Sequence, residues 1–498
     1  MVAQTNCKSK PLRTSMKREV SRRSLSNRRR PSNYSVTLWP EHVAPVEQIL
    51  SSEATAVFAE QRTGKTFMTM GAMERLPREN LAAVIVCLLT NRDSTWRDKL
   101  AEFLPWLNVT SDWDEFKKLP FPKAFLVHFD ALPGVVSKIK RATRWLTFAV
   151  IDEAHRIKAR GSAWSRAAAK LAGIPKRVIL TGTPIEKQPK DLWAQFRFLM
   201  PGLLGHKWAE FEKEYIDLPV IDWKKYRWGS SEWQSAMLRF RIMRSKAKFK
   251  RGAIHKLIQR IKPYCIRLTK RDVGIREAVI HRIDVPLVGP QRSLYHKMKK
   301  TSVIRLPDGS RSMAPLKITN IMKRRQIASG FVFDDDEVSH TVGRSKLLRL
   351  MSLARKLPKP IVIFAVFKPE IDQIVSTLQA EHYDVIAVHG KVNKKLRPDI
   401  WRSFQRAQWD FIVCQLRTGG IGVDLWKARY GIFHSISHSS IDFDQAKSRL
   451  DSKLYDKPAE FFVLNGQDTI DEDLYDMVVE KGLGAEQVLS RLKKGNVR

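Results

Sequence analysis

Three short segments carry residue types and spacings suited to phosphate chemistry. The first is Ala59-Glu60-Gln61-Arg62-Thr63-Gly64-Lys65-Thr66, which follows the apolar run Ala54 to Phe58 and opens a helical run from Phe67 to Leu76. A strand, a tight loop and a helix N-terminus in that order form an anion cradle. Backbone N–H groups from Gln61 to Thr66 point at the anion, and the helix dipole favours negative charge there. Lys65 would reach the terminal phosphates of a nucleotide, and the Thr66 hydroxyl would hold Mg²⁺. The general phosphate-loop pattern asks for Gly where this chain has Ala59.

The second segment is Phe148-Ala149-Val150-Ile151-Asp152-Glu153-Ala154-His155. Its apolar run delivers two adjacent carboxylates at a strand end, where ligands sit in parallel sheets. Asp152 is placed to bind Mg²⁺, and Glu153 to orient and deprotonate an attacking water. The third, Leu180-Thr181-Gly182-Thr183-Pro184, ends another apolar run. Its hydroxyls, Thr181 and Thr183, could couple nucleotide state to the rest of the fold, although a plain turn would read the same way.

These residues need elements to position them. Ala54 to Ala59, Ala82 to Leu88, Ala124 to His128, Phe148 to Ile151 and Arg177 to Leu180 read as buried strands separated by helical stretches. A second alternating region holds Pro360 to Phe364, Asp384 to His389, Phe411 to Gln415, Tyr430 to Ser435 and Glu460 to Leu464. Such alternation predicts α/β architecture: two parallel sheets covered by helices. The expected organisation is a basic, disordered tail at 1–35, a first lobe at 36–200 and a helical, basic insertion and linker at 201–340. A second lobe at 341–467 and a helical brace at 468–498 complete it.

The charge points to a polyanionic partner. The chain has 89 Lys and Arg against 51 Asp and Glu, a net charge of +38. That excess is larger than solubility requires. Ten basic residues and one acid lie in the tail, including Arg28-Arg29-Arg30. Between Lys224 and Arg271 there are sixteen basic residues and one acid, Glu232, interleaved with Trp223, Tyr226, Trp228, Trp233 and Phe240. This stretch reads either as a nucleic-acid surface or, for its aromatics, as the core of a small helical unit. Cys7, Cys87, Cys265 and Cys414 have no paired spacing suited to zinc or a redox couple. No apolar run is long enough to cross a membrane.

The three segments, in this order, resemble the Swi/Snf-type family of helicase superfamily two. The similarity continues through Asp191-Leu192-Trp193, Phe198 to Gly202, and Ile266 to Val273. It extends through Gln291 and Tyr295, Ser345-Lys346-Leu347, Ile361 to Phe364, and Gly390, Arg397 and Phe404. Thr418 to Leu425, Gln445-Ala446 with Arg449, and Thr469-Ile470-Asp471-Glu472 complete it. It spans about Leu38 to Lys481. The resemblance implies two RecA-like lobes that hydrolyse ATP with Mg²⁺ and step along double-stranded DNA. It assigns Arg449 to catalysis, Gln445 to coupling, and Thr418, Gly419, Trp96 and His128 to nucleic acid. Strand separation, RNA or single-stranded DNA substrates, and a nucleotide-binding module with weak turnover are the alternatives. A reduced intracellular setting is expected: the cytoplasm or nucleoid of a bacterial or phage-infected cell, or a eukaryotic nucleus.

Three departures stand out. His42 occupies the position of the family's adenine-reading glutamine. Leu88 replaces a proline. Ser452 stands where a second arginine of the sixth motif, the arginine finger, is expected; Lys453 is one residue late and lacks the planar fork.

Overall fold

The computed structural model describes residues 36–185, 189–245, 247–393, 396–416, 425–452 and 457–480. The N-terminal tail, Cys7, Thr418, Gly419, Lys453 and the end of the brace lie outside the described residues.

Seven strands form the first sheet: β1 (Ala54–Ala59), β2 (Ala82–Cys87), β3 (Asn108–Thr110), β4 (Lys123–His128), β5 (Phe148–Asp152), β6 (Lys176–Thr181) and β7 (Cys265–Leu268). Their order is β3-β4-β2-β5-β6-β1-β7, and every pairing is parallel. β1, β2 and β5 are buried along their whole length. Their side chains alternate between two cores, with Ala56 and Phe58 in one and Val57 and Ala59 in the other. A continuous apolar run is what a sheet covered on both faces demands.

The second sheet opens with β8 (Val279–Val285). Two antiparallel hairpins follow: β9 (Val303–Arg305) with β10 (Arg311–Met313), and β11 (Phe331–Phe333) with β12 (Ser339–Thr341). β13 (Ile361–Ala365), β14 (Val385–Val388), β15 (Phe411–Gln415), β16 (Tyr430–Phe433) and β17 (Glu460–Gly466) complete the parallel order β14-β15-β13-β16-β17-β8. The fold is α/β, with two RecA-like parallel-sheet lobes.

The segment expected at 201–340 as insertion and linker is divided differently. β7 adds to the first sheet beside β1, and β8 adds to the second beside β17. Both are edge strands, with Arg267 inside β7 and His281, Arg282 and Asp284 inside β8, so neither presents the unbroken apolar run of a central strand. The helices Trp208–Tyr215 and Ala253–Ile261 pack onto the first lobe through Phe211, Tyr215, Leu257 and Ile261. Between them the chain is pinched by an antiparallel bridge from Ile216 to Phe249. Beyond that pinch, none of Trp223, Tyr226, Trp228, Trp233 and Phe240 is buried. Trp228 is 82% exposed and packs on Trp233, with ring centroids 4.5 Å apart. Trp223, Tyr226, Trp233 and Phe240 are half-buried, and Trp223 packs on Tyr226 and Phe240, so the aromatics form a small open cluster rather than a buried core.

Two of the late motifs meet in the second lobe. Lys346, at the start of the helix Ser345–Lys356, is buried and ion-paired with Asp471 of the helix Ile470–Tyr475. Thr469 caps that second helix by accepting from the Asp471 amide.

Candidate nucleotide site

β5, β6 and β1 are neighbours, so their carboxyl ends share one edge of the sheet. Asp152 lies opposite Leu180, and Thr181 opposite Phe58. The phosphate loop leaves β1 and turns into the helix Lys65–Arg75 through Gly64, whose φ is +84°. Lys65 Nζ donates to the carbonyls of Ala59 at 2.8 Å and Glu60 at 2.9 Å. Burial lowers its pKa, and the charges of Glu153 and Asp152 work against that fall. The Thr63 hydroxyl donates to the Glu60 carbonyl at 2.7 Å.

His42 supports this loop from below. It is 1% exposed and stacks on Trp39, with ring centroids 4.7 Å apart. Its Nδ1 faces the Trp39 amide at 3.4 Å, and its Nε2 lies 2.8 Å from the Thr63 carbonyl. A Cβ on Gly64 would come within 2.4 Å of the imidazole, so glycine is required by contact as well as by backbone angle. With both nitrogens facing backbone, His42 buttresses the loop.

The carboxylate pair sits beside the loop. Asp152 Oδ1 accepts from the Glu153 amide at 2.9 Å, and Oδ2 accepts from Trp96 Nε1 at 3.0 Å. Burial, and then the neighbouring Glu153, push the Asp152 carboxyl up to about 6. Burial also opposes charge on Glu153, but His155, Lys65 and Arg449 outweigh it and hold that carboxyl below its usual range. Glu153 has a left-handed backbone, φ +54°, and its Oε2 lies 3.2 Å from His155 Nδ1. The same nitrogen is 3.4 Å from the Thr181 hydroxyl, which accepts from the Thr183 amide at 3.2 Å. A hydrogen-bonded line therefore runs from Glu153 to the third segment. Two buried carboxylates beside a hydroxyl-bearing helix start make a hard-oxygen donor set, and it fits Mg²⁺. Thr66 and Asp152 would hold that ion, which when bound neutralises phosphate charge.

Elements of the second lobe meet this edge. Arg62 Nε donates to the Ser448 carbonyl at 3.1 Å, and Nη2 donates to the Arg449 carbonyl at 3.0 Å. The Ser448 hydroxyl contacts Gln61 Oε1 and the Gln445 carbonyl. Glu60 ties the loop to the connector after β7. It accepts from Arg267 Nη2 at 2.8 Å and from the Lys270 amide at 2.9 Å. Lys270 Nζ in turn lies 2.5 Å from Asp451 Oδ2.

The structure thus brings together Gln61, Arg62, Thr63, Gly64, Lys65, Thr66, Asp152, Glu153, Thr181, Thr183, Gln445 and Arg449. It does not bring Trp96 to a surface. That indole is fully buried, which corrects its expected role at nucleic acid. His128 is partly exposed at the end of β4. Sequence reasoning missed Glu60, Arg267, Lys270 and Asp451, whose partners lie far along the chain.

Trp96 instead donates to the Asp152 carboxylate. Trp96→Phe removes the indole donor while keeping an aromatic ring. The expected result is a loss of about 10–100-fold in Mg²⁺ affinity or turnover, the scale for losing a group that orients a metal ligand. ATP hydrolysis titrated against Mg²⁺ checks this; an unchanged titration would make Trp96 core packing alone.

A loop that cradles phosphate on one RecA-like lobe, faced by an arginine segment of a second, defines a two-lobed P-loop nucleotide-binding protein. The comparisons narrow that class. The SNF2-related domain matches residues 46–330, more than half of the chain, and the Helicase conserved C-terminal domain matches residues 344–451. The chain belongs to the SNF2-related family. It is similar to an uncharacterized ATP-dependent helicase, MG018, of Mycoplasma genitalium, at 25% identity over 79% of this chain and 35% of that protein. A second relative, an uncharacterized ATP-dependent helicase of Mycoplasma pneumoniae, is 24% identical over 81% of this chain and 36% of its own length. The chain therefore spans about a third of these curated relatives. The solved Sulfolobus solfataricus SWI2/SNF2 ATPase core in complex with dsDNA is 21% identical, covering 93% of this chain and 95% of that one, at a TM-score of 0.39. No described helix is long and apolar enough to cross a membrane.

Proposed function

We propose that this chain hydrolyses MgATP between its two lobes and uses their movement to travel along double-stranded DNA. The observation that carries this reading is the shared edge of β1, β6 and β5, where Lys65, Thr181, Asp152 and Glu153 converge opposite Arg449. Loop amides and Lys65 hold the phosphates. Glu153, kept ionised in its buried setting, takes a proton from the attacking water. Arg449 supplies positive charge from the other lobe, so the site is complete only when the lobes meet. The names of the two Mycoplasma relatives agree with nucleotide use.

A nucleic-acid partner is favoured by the basic segment beyond the Ile216–Phe249 pinch. In that segment Lys225, Arg239 and Arg241 are exposed, and so is Trp228. The direct test compares ATP turnover with duplex DNA, single-stranded DNA and RNA, using Lys65→Ala as the inactive control. Strongest stimulation by duplex supports the proposal. Stimulation only by RNA or single strands would replace it with strand separation or RNA work.

Salt gives a second expected outcome. If six or more phosphates are contacted, duplex affinity should fall about 10³-fold or more between 50 and 200 mM salt. Titrations by fluorescence anisotropy at several salt concentrations check it, and a flat response would remove the basic segment as a DNA surface.

A further inference from the structure

Arg62 combines two features that rarely occur together by chance. Its backbone is left-handed, with φ +69°, a conformation that L side chains rarely adopt. Its guanidinium, although it belongs to the phosphate loop, is turned away from the loop and onto the second lobe. It spans two consecutive peptide carbonyls there, Ser448 at 3.1 Å and Arg449 at 3.0 Å. Backbone strain persists only where the surroundings over-determine it, and here the two interlobe hydrogen bonds do so. Gln61, the preceding loop residue, reaches the same Ser448 through its hydroxyl.

What those carbonyls belong to gives the contact its meaning. Arg449 is the arginine that the proposed function sets against the cleft, and its own peptide carbonyl is one of the two that Arg62 grips. Ser452, three residues further on, offers no guanidinium. With Ser452 in place of a second arginine of this segment, the site depends on how well Arg449 is placed.

We infer that Arg62 is a positioning residue, a strut from the phosphate loop that grips the backbone of Ser448 and Arg449 and so sets the Arg449 guanidinium in the cleft. It carries nucleotide occupancy of the loop to the second lobe without itself bonding the phosphates. This inference rests on the proposed ATP hydrolysis.

The substitution Arg62→Gly tests it. Glycine adopts positive φ without strain, so the loop keeps its path and the fold is not weakened. The fork-shaped contact to two carbonyls is lost. Turnover at saturating ATP and DNA should fall about 10- to 100-fold, the scale of charged hydrogen bonds. The KM for ATP and the thermal midpoint should stay within about threefold and a few degrees of the wild-type values. Arg62→Lys, which keeps charge but cannot span two carbonyls, should recover only part of the loss. In an Arg449→Ala background, Arg62→Gly should cost little more, because both changes remove one function.

A raised KM with unchanged kcat would overturn the inference and make Arg62 a phosphate ligand. Independent, multiplying losses from Arg62→Gly and Arg449→Ala would overturn it too. A wild-type chain without ATP turnover would sink the proposed function and this inference together. An active chain indifferent to Arg62→Gly would sink the inference alone.

Discussion

Glu153→Gln should reduce ATP turnover by about 10²–10⁴-fold, the usual contribution of a positioned general base. The amide keeps the size and the hydrogen-bonding reach of the carboxylate but cannot accept a proton. Nucleotide binding should survive, because Lys65 and the loop amides are untouched and one of two buried negative charges is removed. The line through His155 to Thr181 should also persist, since the Gln carbonyl can still face His155. Phosphate release under saturating DNA, set beside equilibrium binding of a labelled nucleotide, separates the two effects. Residual turnover above about a tenth of wild type would remove Glu153 from the role of base, and attention would pass to Asp152 or a water held by Lys65.

The largest effect on stability should come from Lys346→Met. Lys346 Nζ is buried against Asp471 and also lies 3.4 Å from the His434 carbonyl. Removing one partner leaves the other charge with too little solvation, which costs about 3–5 kcal/mol in comparable buried pairs. Asp471 would keep only weaker help, such as the Gly466 amide at 3.2 Å. The loss should appear as a lower denaturation midpoint for the transition that reports on the second lobe. The double substitution Lys346→Met with Asp471→Leu should recover much of it, because two well-packed apolar groups need no compensation. If the single change costs under about 1 kcal/mol, the pair contributes no more than a surface bridge.

Both predictions concern residues that the sequence displays in different ways. Lys65, Asp152 and Glu153 sit in compact linear motifs, each at the end of an apolar run, so strand ends and chemistry could be read together. The central strands were legible for the same reason: burial on two faces leaves an unbroken apolar signature. Edge strands carry no such mark. Arg267 interrupts β7, and His281, Arg282 and Asp284 break up β8, which disguises both as linker. The site's tertiary partners were harder still. Trp96 meets Asp152 across 56 residues, and Arg62 meets Ser448 across 386. Nothing local to Trp96 distinguishes an indole aimed at a carboxylate from one aimed at DNA. Lys346 and Asp471 were both noticed as motif members, yet only the packing of two helices reveals that they answer each other.

The pinch between Ile216 and Phe249 bears on how this architecture could diversify. The backbone there is clasped twice more, from the Asp217 amide to the Lys248 carbonyl at 2.9 Å and from the Lys250 amide to the Tyr215 carbonyl at 3.0 Å. Everything outboard of that clasp leaves and returns through nearly one point, and neither sheet's register depends on it. Doubling the length of such an excursion costs only about 0.6 kcal/mol in closure entropy. The outboard segment is thus a side excursion whose length closure entropy hardly limits, held to the lobe beneath it by the clasp and by the Arg244–Glu212 pair.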